Sequence, residues 1–165
     1  MSSRASAVMT QFAQRGGWWV VAQFVLFAFY IVALVGTEPL SQGYALDLAQ
    51  VIGFSLTAAG IVMVGWSIIL IGRHLTPYPA PTDGTVLVAT GPYRLVRHPI
   101  YGGLIIAAVG LALMALNPWA LMFALVFVLF FMAKTGFEED LLMERFRGYG
   151  EYRALVPRRL IPWLL

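Results

Sequence analysis

Residues 100–137 read IYGGLIIAAVGLALMALNPWALMFALVFVLFFMAKTGF, two apolar runs separated only by Asn117 and Pro118. The runs cover residues 100–116 and 119–137, and each approaches the roughly 20 helical residues that cross the hydrocarbon core of a bilayer. An Asn-Pro dipeptide marks a tight turn. The sequence therefore predicts two membrane-spanning helices that form a tight hairpin.

Two further apolar stretches lie upstream, at residues 18–35 and 48–71, and both are long enough to span. Of the 165 residues, 60% are hydrophobic and 12% are charged, about half the share of charge that a soluble domain carries. The chain has no cysteine, which excludes disulfides, thiolate metal ligands and a cysteine nucleophile. We therefore predict an all-α integral membrane protein with four transmembrane helices.

The basic residues indicate the orientation. All 11 lie before the first stretch, between the second and third, or at and after the end of the fourth. Because short cytoplasmic loops collect Lys and Arg, we expect a multi-pass protein with both termini cytoplasmic, in a bacterial-type inner membrane. An endoplasmic-reticulum membrane would show the same pattern and is the alternative. Topology thus accounts for the net charge of +3, and no nucleic-acid partner is implied. The first stretch is too long for a signal-peptide core, so we expect an uncleaved anchor.

Small residues indicate where helices pack together, and tryptophans indicate where helices meet the membrane surface. Small side chains let helix backbones approach closely in lipid, so we expect close helix packing within one chain at these residues, or alternatively a face for a dimer. Tryptophans near span ends are typical of the interfacial aromatic belt. The packing residues are Gly53, Gly60, Gly65, Gly72, Gly103, Ala107 and Gly110, and the belt residues are Trp18, Trp19, Trp119 and Trp163.

A polar segment, residues 91–103 (GPYRLVRHPIYGG), precedes the third helix. Proline is favoured in the first helical turn and keeps the preceding residue out of the helix, so Pro99 should begin the helix with His98 at its mouth. The helix dipole there, together with Arg94 and Arg97, favours an anion such as a carboxylate. Gly102 and Gly103 should leave this turn bare for a ligand. Alternatively, these residues only determine topology and contact lipid headgroups.

A second polar cluster, Glu138, Glu139 and Asp140, lies where the fourth helix should leave the membrane. Adjacent helix positions point about 100° apart, so the two glutamates cannot serve the same face. We expect one of them to bind a ligand and the other to pair with Arg94 or Arg97. The alternative is a solvated helix exit without a ligand.

The motifs of these two clusters resemble one known family. They are LVATGPYRLVRHPIYGG at residues 87–103, the pair Glu138-Glu139 with Leu142, then Phe146, Tyr149, Tyr152 and VPRRLIP at residues 156–162. Together they closely resemble the isoprenylcysteine carboxyl methyltransferase family over roughly residues 60–162. Related integral-membrane methyltransferases act on phospholipid amines and small thiols.

The resemblance implies a single membrane methyltransferase domain over residues 1–165, with an anchor helix and loop at 1–47 and a catalytic core at 48–165. It implies S-adenosylmethionine as cofactor, no metal, membrane lipids as surroundings, and a lipophilic or small membrane-soluble acceptor. Tyr149 and Tyr152 would belong to a short helical cytoplasmic cap. The implied catalytic residues are Arg97, His98 and Glu139, and the implied cofactor-binding residues are Tyr93, Arg97, His98, Pro99, Tyr101, Gly102, Glu138 and Glu139.

The side chains suit methyl transfer, an in-line displacement that depends on alignment and on exclusion of water. A carboxylate acceptor needs no base, whereas an amine or thiol must lose a proton to His98 or a glutamate. Two alternatives stay open at this point. One is an NADPH-dependent oxidoreductase like the sterol reductases, which share a similar histidine-proline string, and the other is a non-catalytic membrane subunit.

Overall fold

A computed structural model describes residues 2–36, 44–81, 84 and 86–162, without the side chains of residues 2–5 and 44–47. In this part of the chain all regular structure is helical, as predicted. Short 3₁₀ turns cover Gly72–His74 and Gly91–Arg94. The α-helices are α1 (Ser2–Gln14), α2 (Gly17–Gly36), α3 (Tyr44–Ile71), α4 (Pro99–Met114), α5 (Pro118–Arg145) and α6 (Tyr149–Leu155).

The four predicted apolar helices correspond to α2, α3, α4 and α5, with two differences. Helix α1 was not predicted, because its mixture of polar and apolar residues gives no spanning signal. Helix α5 continues beyond residue 137 to Arg145, since residues 138–145 are mostly strong helix formers. The second polar cluster therefore lies within α5.

Three helical segments are long and apolar enough to cross a membrane: Gly17–Gly36, Leu48–His74 and Pro118–Arg145. Large apolar side chains point outward along all three, among them Val32, Ile69 and Leu129, each at least 64% exposed. Such surfaces are typical of helices that lie in a membrane. Helix α4 is equally apolar but has only 16 residues.

Helices α3 and α4 pack backbone to backbone. A Cβ atom on Gly60 would lie 2.5 Å from the carbonyl oxygen of Gly103 and 2.6 Å from the amide nitrogen of Ala107. One on Gly53 would lie 2.6 Å from the carbonyl oxygen of Gly110. The predicted packing within one chain is confirmed at these positions. It is wrong for Gly65 and Gly72, where a Cβ would meet no atom within 4 Å.

Asn117 fixes the turn between α4 and α5. Its side-chain oxygen accepts a hydrogen bond from the Ala120 amide at 3.0 Å, which caps α5. Its side-chain nitrogen donates to the Ala33 carbonyl at 2.7 Å, near the end of α2. The predicted turn residue therefore connects three helices.

The buried core lies where α5 contacts α2 and α4. Phe127 and Phe131 of α5 pack there with Ile105 of α4. The Tyr30 hydroxyl of α2 donates to the Ala108 carbonyl of α4 at 2.7 Å. These contacts hold the start of α4 beside the second half of α5, so the two polar clusters meet.

The tryptophans occupy the predicted positions in part. Trp18 and Trp119, at the beginnings of α2 and α5, are 59% and 56% exposed. Trp19 packs instead against Phe130 and Phe137, with ring centroids 5.7 and 6.3 Å away. Trp163 lies outside the described residues.

Candidate active site

The mouth of α4 forms as the sequence predicts. Pro99 is the first residue of α4 and His98 is its N-cap, outside the helix at φ −124° and ψ 66°. The preceding 3₁₀ turn places Tyr93 in the interior, at 7% exposure. Arg94 instead is exposed to solvent. The polar segment thus directs Tyr93 and His98 inward and Arg94 outward.

Arg97 connects three parts of the protein. Its Nε donates to Glu139 Oε1 at 2.8 Å, and its Nη1 donates to the carbonyls of Val156 and Pro157 at 2.8 and 2.6 Å. The backbone amide of Arg97 also donates to the Arg158 carbonyl at 3.0 Å. The guanidinium therefore fastens the C-terminal segment to the mouth of α4.

Glu139 is the buried member of the acidic pair, at 2% exposure. Besides Arg97, its Oε1 lies 3.1 Å from His98 Nε2, and its Oε2 accepts from Arg159 Nη2 at 3.3 Å. Of the two arginines considered from the sequence, Arg97 and not Arg94 is the partner. Glu139 is therefore the centre of a buried network of ion pairs.

Glu138 points away from that network, into a cavity. Its Oε2 accepts a hydrogen bond from the Tyr101 hydroxyl at 3.0 Å, and its Oε1 lies 3.8 Å from His98 Nδ1. Asp140 is exposed. The three acids thus point in three directions, as the helical angle between neighbours requires.

The cavity has a volume of about 460 Å³, within the range of about 300–1,000 Å³ typical of small-molecule sites. Its walls come from α2, α3, the loop that follows α3, the polar segment before α4, and from α4, α5 and α6. Most lining residues are apolar, and a few polar groups converge among them. The apolar walls include Val64, Ile68, Ile100, Leu104, Leu142 and Phe146, and the polar groups include Gln23, Tyr93, Arg97, His98, Tyr101, Lys134, Glu138 and Tyr149.

Two tyrosine hydroxyls at this cavity, those of Tyr93 and Tyr149, are buried without a hydrogen-bond partner within the described part of the chain. The neighbouring Tyr152 differs, because its hydroxyl donates to the Tyr93 carbonyl at 2.7 Å. Burial raises the pKa of Tyr93 and Tyr149 well above the ordinary value and raises the pKa of Tyr152 to about 12. At neutral pH, Tyr93 and Tyr149 are therefore neutral donors available to a ligand.

The prediction that Gly102 and Gly103 leave the first turn of α4 bare for a ligand is wrong. The Leu160 carbonyl oxygen occupies the space that a Cβ on Gly102 would fill, and Val64 and Gly60 close the space beside Gly103. The glycines therefore admit the C-terminal segment and α3, rather than leaving backbone bare for a ligand. Sequence pattern could not show this, because Leu160 lies far along the chain.

Lys134 and Gln23 are cavity residues that the sequence did not identify as site residues. Lys134 is fully buried, and its Nζ donates to Gln23 Oε1 at 2.6 Å and to the Pro77 carbonyl at 3.2 Å. The sequence interpretation used Lys134 only as a topology signal. Its spacing four residues before Glu138 could have indicated a shared helix face, but Gln23 carries no such signal.

Known proteins resemble this chain over the same region. The model of the phospholipid methyltransferase family matches residues 48–149. Protein-S-isoprenylcysteine O-methyltransferase B of Arabidopsis thaliana is 35% identical over 109 residues, which are 64% of this chain and 55% of that protein. Protein-S-isoprenylcysteine O-methyltransferase of Saccharomyces cerevisiae is 29% identical over 136 residues, 72% of this chain and 56% of that protein.

A relative with a different name is the nickel-cobalt-cadmium resistance protein NccN of Alcaligenes xylosoxydans xylosoxydans. It is 33% identical over 97 residues, 58% of this chain and 46% of that protein. The chain spans about half the length of the curated relatives it matches. The family match includes both polar clusters, and it confirms the resemblance to membrane methyltransferases inferred from the motifs. The chain belongs to the phospholipid methyltransferase family.

Proposed function

We propose that this protein is an integral-membrane methyltransferase that transfers a methyl group from S-adenosylmethionine to a lipophilic or small membrane-soluble acceptor. The observation that carries the proposal is the cavity at the mouth of α4, where Glu138 and the unpartnered hydroxyls of Tyr93 and Tyr149 converge among apolar walls. Family membership supports the same conclusion.

The polar groups of the cavity fit this cofactor. Glu138 supplies a carboxylate for the ribose hydroxyls or the ammonium group, and Tyr93 and Tyr149 supply neutral donors. We propose that Glu138 faces the cofactor, whereas Glu139 acts as a positioning residue. That division follows from the geometry, since Glu138 lines the cavity and Glu139 is enclosed by Arg97, His98 and Arg159.

When bound, S-adenosylmethionine would supply an electrophilic methyl group, which passes in line to the acceptor nucleophile while S-adenosylhomocysteine leaves. The protein's contribution is then to hold two reactants in alignment and to exclude water. Arg97 and Glu139 would stiffen the mouth of α4, and the apolar walls would limit the water around the reactants. For an amine or thiol acceptor, His98 or Glu138 would take the released proton.

The surroundings favour an acceptor that enters from lipid. Ile68 of α3 and Leu104 of α4 are part of the cavity wall, and the outer surfaces of the helices are apolar. The isoprenylcysteine methyltransferases among the relatives are named for a prenylated acceptor. We propose the same broad class here, with a carboxylate, an amine or a thiol as the methylated group.

We also propose that α2, α3, α4 and α5 all cross the membrane, with α4 and α5 as a hairpin and both termini in the cytoplasm. Helix α4 has 16 residues and is therefore about 24 Å long, shorter than the roughly 30 Å hydrocarbon core. Its mouth would lie slightly below the headgroups. Residues 1–165 would form one domain in a bacterial-type inner membrane.

Calorimetric titration of detergent-purified protein with S-adenosylhomocysteine tests the proposal without knowledge of the acceptor. We expect micromolar binding to wild type and at least tenfold weaker binding to Glu138→Gln and His98→Ala. Asp140→Asn is the matched control, because Asp140 is exposed and its loss should leave binding unchanged.

A parallel titration with NADPH tests the reductase alternative. Binding of NADPH but not of S-adenosylhomocysteine would refute the methyltransferase assignment in favour of an oxidoreductase. A folded wild-type protein that binds neither ligand would refute it in favour of a non-catalytic subunit.

A further inference from the structure

Lys134 places a buried cation in the wall of the cavity, beside α2. The side chain is 0% exposed, its Nζ donates to Gln23 Oε1 and the Pro77 carbonyl, and it lies 4.9 Å from the centre of the Tyr101 ring. Both Lys134 and Gln23 line the cavity. The proposed methyl-transfer chemistry uses neither residue.

The charge of Lys134 has no carboxylate partner within 4.0 Å among the described residues. Glu138, one helical turn further along α5, is bound instead by the Tyr101 hydroxyl. An ammonium group has three donors. Among the described residues Nζ makes two hydrogen bonds, to Gln23 and Pro77, and lies over the Tyr101 ring, which leaves room for one further acceptor. A buried ammonium is unfavourable unless it is paired, so an anionic ligand would stabilise this arrangement.

We propose that Lys134, held by Gln23, forms a subsite that binds a carboxylate group. This inference rests on the proposed function, and it deepens that proposal by assigning the chemistry at one wall of the cavity. The Gln23 side chain and the Pro77 carbonyl orient the ammonium, and the ligand's carboxylate supplies the missing negative charge. A protonated amine is excluded from the subsite by repulsion.

Two parts of the reaction mixture carry a carboxylate. One is the amino-acid portion of the cofactor, whose ammonium group would pair with Glu138 in the same cavity. The other is a carboxylate acceptor, which needs no base for methylation. The same ammonium group of Lys134 serves either source, and ligands with and without each carboxylate distinguish the two.

The test compares Lys134→Met with wild type in binding two adenosine ligands. S-adenosylhomocysteine carries the amino-acid carboxylate, whereas 5′-methylthioadenosine lacks it. A second pair comprises N-acetyl-S-farnesylcysteine and its carboxamide, measured as ligands. Thr135→Val is the matched control, because Thr135 is equally buried and its hydroxyl donates to the Phe131 and Met132 carbonyls of its own helix.

If the carboxylate is the cofactor's, Lys134→Met weakens S-adenosylhomocysteine at least tenfold and leaves 5′-methylthioadenosine unchanged. If it is the acceptor's, the variant weakens the farnesylcysteine acid at least tenfold and leaves the carboxamide unchanged. A folded Lys134→Met protein that binds all four compounds like wild type would overturn the proposal.

A second variant keeps the test decisive if Lys134→Met does not fold. Gln23→Glu places a carboxylate at the position 2.6 Å from Lys134 Nζ, so it should stabilise the fold while weakening carboxylate ligands tenfold or more. Unchanged binding by Gln23→Glu would contradict the subsite. Failure of wild type to bind S-adenosylhomocysteine would count against the proposed function, and the acid-against-carboxamide comparison would still decide the subsite.

Discussion

The substitution Glu139→Gln should destabilise the protein far more than the same change at Glu138. Glu139 is 2% exposed and receives hydrogen bonds from Arg97 at 2.8 Å and Arg159 at 3.3 Å, with His98 Nε2 at 3.1 Å. Neutralising it leaves the buried Arg97 without its carboxylate. Breaking a buried ion pair from one side costs about 3–5 kcal/mol. Because glutamine keeps the shape, we expect the lower figure, about 3 kcal/mol.

A chain of this size loses roughly 2–4 °C of midpoint temperature per kcal/mol, so Glu139→Gln should unfold about 6–12 °C below wild type. Thermal unfolding in detergent, followed by tryptophan fluorescence, measures this. Glu138→Gln is the matched control and should shift the midpoint by less than about 2 °C, because Glu138 faces the cavity. Equal midpoints for the two variants, or a larger loss in Glu138→Gln, would refute the assignment of Glu139 as the positioning residue.

Three further outcomes are expected. Gly60→Ala should lose about 1–3 kcal/mol by overpacking against α4, whereas Gly65→Ala, with open space around it, should keep the wild-type midpoint in the same thermal assay. Tyr93→Phe and Tyr149→Phe should each weaken the binding of S-adenosylhomocysteine about tenfold in calorimetry without lowering the free energy of unfolding. Tyr152→Phe should instead lower the free energy of unfolding by about 1 kcal/mol, because it loses the hydrogen bond to the Tyr93 carbonyl. The pKa of Tyr152 is raised from 10.0 to about 12 in the folded state. The stability that the neutral Tyr152 hydroxyl contributes should therefore be complete below pH 10 and should fall as the pH rises from 10 to 12. This fall in the free energy of unfolding should be smaller in Tyr152→Phe.

The fold was largely readable from the sequence because its signals are local. Apolar runs predict the helices α2, α3, α4 and α5, Asn117 and Pro118 predict the turn, and Pro99 predicts the start of α4. Helix α1 was not predicted, because a helix of mixed polarity contains no apolar run. Glu138 and Glu139 were expected on the fourth helix, but the continuation of α5 to Arg145 was not predicted, because the apolar run ends at residue 137.

The sequence predicted the direction of site side chains correctly where that direction depends only on the angle between helix positions. The divergence of the two acids followed from their being neighbours on a helix, but which of them faces the cavity depended on where α4 lies beside α5. Contacts between segments that are distant in the chain could not be predicted from the sequence. These include the carbonyl of Leu160 over Gly102 and the pairing of Gln23 with Lys134, neither of which leaves a local pattern.

The most direct test of the methyltransferase proposal is methyl transfer itself. Purified protein would be incubated with S-adenosylmethionine carrying a tritiated methyl group and with three acceptors: N-acetyl-S-farnesylcysteine, phosphatidylethanolamine and a long-chain alkyl thiol. We predict labelled, organic-extractable product with at least one acceptor, reduced at least tenfold in Glu138→Gln and unchanged in Asp140→Asn. Wild-type protein that binds S-adenosylhomocysteine but labels none of the three, or equal labelling by wild type and Glu138→Gln, would contradict the account.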